Sequence, residues 1–145
     1  MATIIAHITI RPGEEARFEA IARSLYRETH DTESRVLRYE YFRGAEPRTY
    51  YTLLAYPDEA AFLEHQTSGH HERAAPELGR IIESIRLEWV DPVRDAAPLE
   101  PTEAGARPAG SIGIAATDAG TDEVDQYRAR VADWWHELRT EEATT

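Results

Sequence analysis

The chain has 145 residues, 41% of them hydrophobic, and a formal net charge of -11 from 27 acidic and 16 basic side chains. That length suits one domain with a real core, and an acidic balance with no basic stripe argues against nucleic acid or an anionic membrane as partner. No cysteine is present and every basic residue is arginine, which excludes thiolate nucleophiles, disulfides, thiolate metal sites and lysine Schiff bases.

Met1 leads into ATIIAHITI, a run too short to span a bilayer and without the charged leader of a secretory signal, so a soluble cytoplasmic protein is expected. From Thr3 to Ile10 the residues are β-branched or apolar on both alternating faces, the pattern of a strand covered on two sides. Arg11-Pro12-Gly13 breaks it. A helix then opens on Glu14 and Glu15, with Phe18, Ile21, Ala22, Leu25 and Thr29 at helical spacing. The polar run His30–Ser34 ends that helix.

Arg35 to Arg43 alternates again, with Leu37, Tyr39 and Tyr41 on one face. Gly44-Ala45-Glu46-Pro47 is a turn, and Arg48 to Tyr56 is the returning strand of a hairpin. Asp58 is the expected N-cap of a helix over 59–66. A second short helix begins near Ser68-Gly69 and is expected to stop or bend around Pro76, and Ile81 to Val90 closes the series as a strand. The order strand, helix, strand, strand, helix, strand predicts an α+β, ferredoxin-like split βαβ antiparallel sheet with helices on one face. Its other face carries apolar and aromatic side chains, so a homodimer packed sheet to sheet is expected.

The domain is expected to cover residues 1–92. Residues 93–110, rich in Pro and Ala, read as a linker, and 111–145 as an extension. Within the extension 111–116 suits a short strand, and Val124, Tyr127, Val131, Trp134 and Leu138 mark an amphipathic helix over about 122–140.

The stretch Tyr56-Pro57-Asp58-Glu59-Ala60-Ala61-Phe62-Leu63-Glu64-His65, followed by Ser68-Gly69-His70, resembles the signature of the antibiotic biosynthesis monooxygenase domain family. There an aromatic ends the third strand, an acidic turn leads into Ala and a hydrophobic residue, and a helical His precedes a small-residue turn with another His. Arg11-Pro12-Gly13-Glu14 also fits, and the resemblance covers residues 1 to about 92. It implies a dimeric α+β barrel with a pocket between sheet and helices. It also implies oxidation of a phenolic, quinol-type or polycyclic aromatic by molecular oxygen without flavin, haem or metal. The haem-degrading branch pairs an Asn on the first strand with a later His, where this chain has Ala6 or His7.

Such chemistry asks for a base near neutral pH and donors for an anionic intermediate, and histidine with its pKa of ~6.5 suits the base. His65, one turn past Ala61 and Phe62, is the candidate catalytic residue; the plain alternative is a buried histidine holding its helix end. Tyr51, Tyr56, Tyr39 and Tyr41, with Phe62, are candidates for an aromatic wall around the substrate. The family pattern adds His70, leaving His71 as the exposed neighbour. The spacing of His65, His70 and His71 does not suit a metal, and none is expected. Two other readings use the same fold: a non-catalytic ligand-binding or interaction module worked by the tail helix, and an isomerase or cyclase.

Overall fold

The computed structural model describes residues 1–101, 125–127 and 129–131. Strand β1 (Ala2–Ile10) is followed by helix α1 (Glu15–Thr32) and then by strands β2 (Arg38–Arg43) and β3 (Thr49–Tyr56). Helices α2 (Glu59–Gln66) and α3 (Gly69–Ile81) then lead into strand β4 (Ile82–Trp89). The strands form one antiparallel sheet in the order β2-β3-β1-β4. This is the ferredoxin-like α+β fold.

β1 lies inside the sheet because both of its faces can be buried. Ile4, Ala6, Ile8 and Ile10 are no more than 6% exposed. Ala6 stands opposite Thr52 on one side and Leu87 on the other, so those residues share its face. By the same count Tyr39, Tyr41, Tyr50 and Tyr56 look toward the helices, while His7, Phe42 and Tyr51 occupy the opposite face.

Gly13, at φ +84°, turns the chain from β1 into α1, a conformation open to glycine at no steric cost. The buried side of α1 is Phe18, Ala22, Leu25 and Thr29, one residue per turn. In the β2–β3 hairpin, Gly44 is required by crowding, since a Cβ there would clash with the Thr49 side chain. Its N–H bonds the Thr49 carbonyl at 2.8 Å.

Three expectations need correction. β2 begins at Arg38 rather than Arg35, because Arg35 turns aside to pair with Asp58 at 2.7 Å and Glu64 at 3.2 Å. Helix α3 is not stopped at Pro76 but runs on to Ile81. A proline inside a helix costs about 3 kcal/mol, and the buried face of Ala75, Leu78 and Ile81 outweighs it, each large apolar side chain contributing roughly 1.5–3 kcal/mol. Ile81 therefore ends that helix instead of opening the last strand.

The Pro/Ala-rich segment forms neither helix nor strand as far as residue 101. The strand expected at 111–116 lies outside the described residues, as does most of the expected tail helix. Residues 125–127 are helical, and Val131 is buried within the same apolar core, with Tyr127 packed against it. Among the described residues no helix is long and apolar enough to cross a membrane.

Candidate active site

Three helix ends meet over the sheet. α1 finishes at Thr32 and Glu33 is its C-cap, with the Glu33 N–H bonded to the Thr29 carbonyl. A carboxylate at a helix C-terminus faces the negative end of the dipole, so local preference does not explain it. The Asp58 side chain caps α2, accepting from the Ala61 N–H at 2.8 Å. Apart from Glu64, every residue of α2 is buried, and its last turn presents His65. Ser68 caps α3, accepting from the His71 N–H at 3.4 Å, and fixes the start of the helix that carries His70 and His71.

Glu33 ties these ends together. Its Oε1 lies 2.8 Å from His65 Nδ1 and 2.8 Å from His70 Nε2. His70 Nε2 also lies 3.1 Å from both the Thr29 and Ser68 hydroxyls. With Nδ1–H donating to the carboxylate, His65 keeps a lone pair on Nε2, which is buried and has no hydrogen-bond partner. The His65 ring is held between Tyr39 at 4.5 Å and Tyr56 at 5.6 Å. Tyr39 and Tyr41 share a 2.6 Å hydroxyl–hydroxyl bond.

Burial dominates the electrostatics. It raises the Glu33 carboxyl above its usual range, and the His70 ring pulls it part of the way back. Burial and the neighbouring His70 lower His65 to about 3. Tyr39, Tyr41 and Tyr56 are all pushed up by desolvation and keep their protons.

Two cavities lie on either side of the Glu33–His65 pair, the inner one lined by His65 and the outer by Glu33. An inner one of about 40 Å³ lies between sheet and helices, lined in part by Thr52, His65, Gln66 and His71. Thr52 Oγ1 and Gln66 Oε1, like His65 Nε2, are buried without partners. This is room for a few water-sized molecules and not for an aromatic ring. An outer pocket of about 400 Å³ is lined by Glu33, Arg35, Ser68, His70, Tyr127 and Arg130, among others. That volume suits a small ligand. A third cavity, of about 790 Å³, is a groove between α1 and β2 floored by Phe18, Tyr41 and Tyr50, and no histidine lines it.

The structure thus brings His65, His70, Tyr39 and Tyr56 into one cluster, and Tyr41 joins it through Tyr39. Three expected substrate contacts need correction: Tyr51, Phe62 and Tyr56, the last of which is fully buried against His65 and lines neither pocket. Tyr51 is on the far face of the sheet, 40% exposed and edge-on to His7 at 5.4 Å, because the period of two separates it from Tyr50 and Thr52. Phe62 is 2% exposed and packs between Tyr56 and Trp89, serving as core and lining neither pocket. His71 is likewise not the exposed neighbour: it is buried, 5.2 Å from the His65 ring, and reaches the inner cavity. Adjacent helical residues diverge, so His70 meets Glu33 while His71 turns inward.

Sequence reasoning missed Glu33, whose one local signal is an acid at the end of α1 within the polar run His30–Ser34. Glu33, His65 and His70 each offer a ligand atom within 4.8 Å of the others, a two-histidine, one-carboxylate set of the kind metals use. The 2.8 Å contacts show that the same three groups can satisfy one another by hydrogen bonds.

A sequence profile of the antibiotic biosynthesis monooxygenase family matches residues 1–77. The chain belongs to that family. Solved structures agree in fold. An antibiotic biosynthesis monooxygenase is 24% identical with a TM-score of 0.59, covering 64% of this chain and 99% of its own. A Pseudomonas aeruginosa protein is 22% identical with a TM-score of 0.59, covering 63% of this chain and 93% of its own. A Mycobacterium tuberculosis protein is 18% identical with a TM-score of 0.59, covering 66% and 98%. No curated protein matches the chain in sequence.

Proposed function

We propose that this protein is a cofactor-independent monooxygenase acting on a phenolic or quinol-type aromatic, including polycyclic anthrones. The observation that carries the reading is the Glu33 carboxylate bonded at 2.8 Å to both His65 and His70 on the wall of a pocket of about 400 Å³. The ring sits in the outer pocket with its acidic proton toward Glu33 and His70, which accept it as a unit. His65 holds the carboxylate in place from behind, and dioxygen meets the ring within the outer pocket. For an anthrone the balance is CH₂ plus O₂ giving C=O plus water. The carbanion forms a C–O bond to oxygen, the peroxide takes up the proton first removed, and loss of the second C–H proton breaks the O–O bond, so that both hydrogens of the carbon leave in the water. The substrate carbon supplies all four electrons.

Two chains are proposed to associate through the sheet face opposite the helices, where Tyr51 and Phe42 stand 40% and 52% exposed.

The test is oxygen uptake by the full chain, stripped of metal, with anthrones, naphthols and quinols, beside Glu33→Gln and His65→Ala. Uptake by the metal-free protein that falls by about 10²- to 10⁴-fold in Glu33→Gln supports the reading. Uptake that returns only on adding a divalent metal would sink the cofactor-independent part. Binding without any uptake would favour an isomerase or a ligand-binding module.

A further inference from the structure

The family match ends at residue 77 and the similar solved structures described above cover no more than 66% of this chain, yet two residues far beyond that limit line the outer pocket. Tyr127 and Arg130 stand on its wall together with Glu33, Arg35, Ser68 and His70. Their placement is anchored by Val131, which is 8% exposed in the apolar core, and by Tyr127, half-buried against that core. The Arg130 N–H bonds the Tyr127 carbonyl at 3.0 Å, and its guanidinium lies 5.7 Å from the centre of the Tyr127 ring.

Charge assigns these residues a role. The other guanidinium of the pocket, Arg35, is held by Asp58 at 2.7 Å and Glu64 at 3.2 Å. Glu33 is occupied by two histidines. Among the described residues no carboxylate pairs with Arg130, although the chain as a whole carries a net charge of -11. An exposed arginine at a polar pocket, beside an aromatic ring and without a carboxylate partner among the described residues, is arranged for a planar anion.

We propose that Tyr127 and Arg130 form the substrate-selecting wall of this pocket, and that the pocket takes hydroxylated aromatic acids, with Arg130 binding the carboxylate and Tyr127 packing on the ring. The proposal rests on the reading that the substrate occupies the outer pocket. It makes the tail, which the family match does not include, the source of this chain's specificity. Arg130 touches substrate at a group that does not react, so it sets affinity rather than the rate of the chemical step.

Calorimetric binding of 6-hydroxy-2-naphthoate and of 2-naphthol to the full chain under argon tests this without requiring turnover. The expected result is a preference for the acid of about 10- to 100-fold, the range of one charge-assisted contact. Arg130→Gln removes that preference by weakening the acid alone, and Arg130→Lys, which keeps the charge, restores part of it. Equal affinities in the unaltered chain, a preference that survives Arg130→Gln, or an equal loss of both ligands would each overturn the proposal. An Arg130-dependent preference with no oxygen uptake would leave it standing while removing the oxygenase reading.

Discussion

His65 Nδ1 and the Glu33 carboxylate lie 2.8 Å apart across 32 residues of sequence, joining the end of α1 to the end of α2. The contact fixes the tautomer of His65 and holds a carboxylate beneath a pocket, where the dipole of its own helix disfavours it. A group kept in an unfavourable place by two partners is a mark of function more than of stability.

Acid should destabilise the fold through the buried histidines. Burial lowers His65 and His71 to about 3, and each ring is further opposed by its neighbours in the cluster. The unfolded rings take up protons near their ordinary value of ~6.5, while the folded rings stay neutral until about 3. The unfolded chain therefore binds more protons in that window, and stability falls as pH drops through it. Glu33, raised by burial, acts with the opposite sign just above its unfolded value and offsets part of the loss. Urea unfolding of the full chain between pH 7 and pH 4 should show this slope, and His71→Asn should reduce it by about one proton. An unchanged slope would contradict a neutral buried His71.

Tyr56→Phe separates stability from chemistry. The hydroxyl is buried without a partner, and such a group costs about 1–3 kcal/mol. Removing it should leave the melting temperature unchanged or raise it by a few degrees, the shift that about 1 kcal/mol gives in a domain of this size. The hydroxyl lines neither pocket, so kcat/KM with the best phenol should stay unchanged in the same variant. A drop in melting temperature would mean that the hydroxyl is bonded in the folded protein.

Asp58→Ala removes both a helix cap and an ion pair, since Asp58 accepts from Ala61 and holds Arg35. The cap is worth about 0.5–2 kcal/mol and the half-exposed pair adds less than about 1 kcal/mol. Chemical denaturation should show a loss of that order. Asp58→Asn, which can still cap, should recover most of it, and a larger loss in Asn than in Ala would contradict the capping account.

The outer face of the sheet gives a test of association. Tyr51→Glu places a charge among residues that are exposed in one chain and covered in the proposed dimer. Light scattering after size exclusion should report a dimer for the unaltered protein and a monomer for the variant. A monomer in both cases would remove the sheet-to-sheet arrangement.

Much of this protein is determined locally and is legible in the sequence. β1 shows itself in the β-branched run TIIAHITI, and α2 in Asp58 as cap, because backbone sterics and capping act over a few residues. The aromatic, acidic and histidine spacing around 56–70 was enough to indicate the family. Tertiary structure decided the rest. Pro76 remained within α3 because distant packing outweighed a local penalty. Tyr51 and Tyr56, five residues apart in one strand, must face opposite ways, and only the packing of the helices on one face of the sheet decided which of them points toward His65. Glu33 could not be found from spacing at all. Its meeting with His65 and His70 depends on three helix ends converging over one sheet, and no local rule carries that distance.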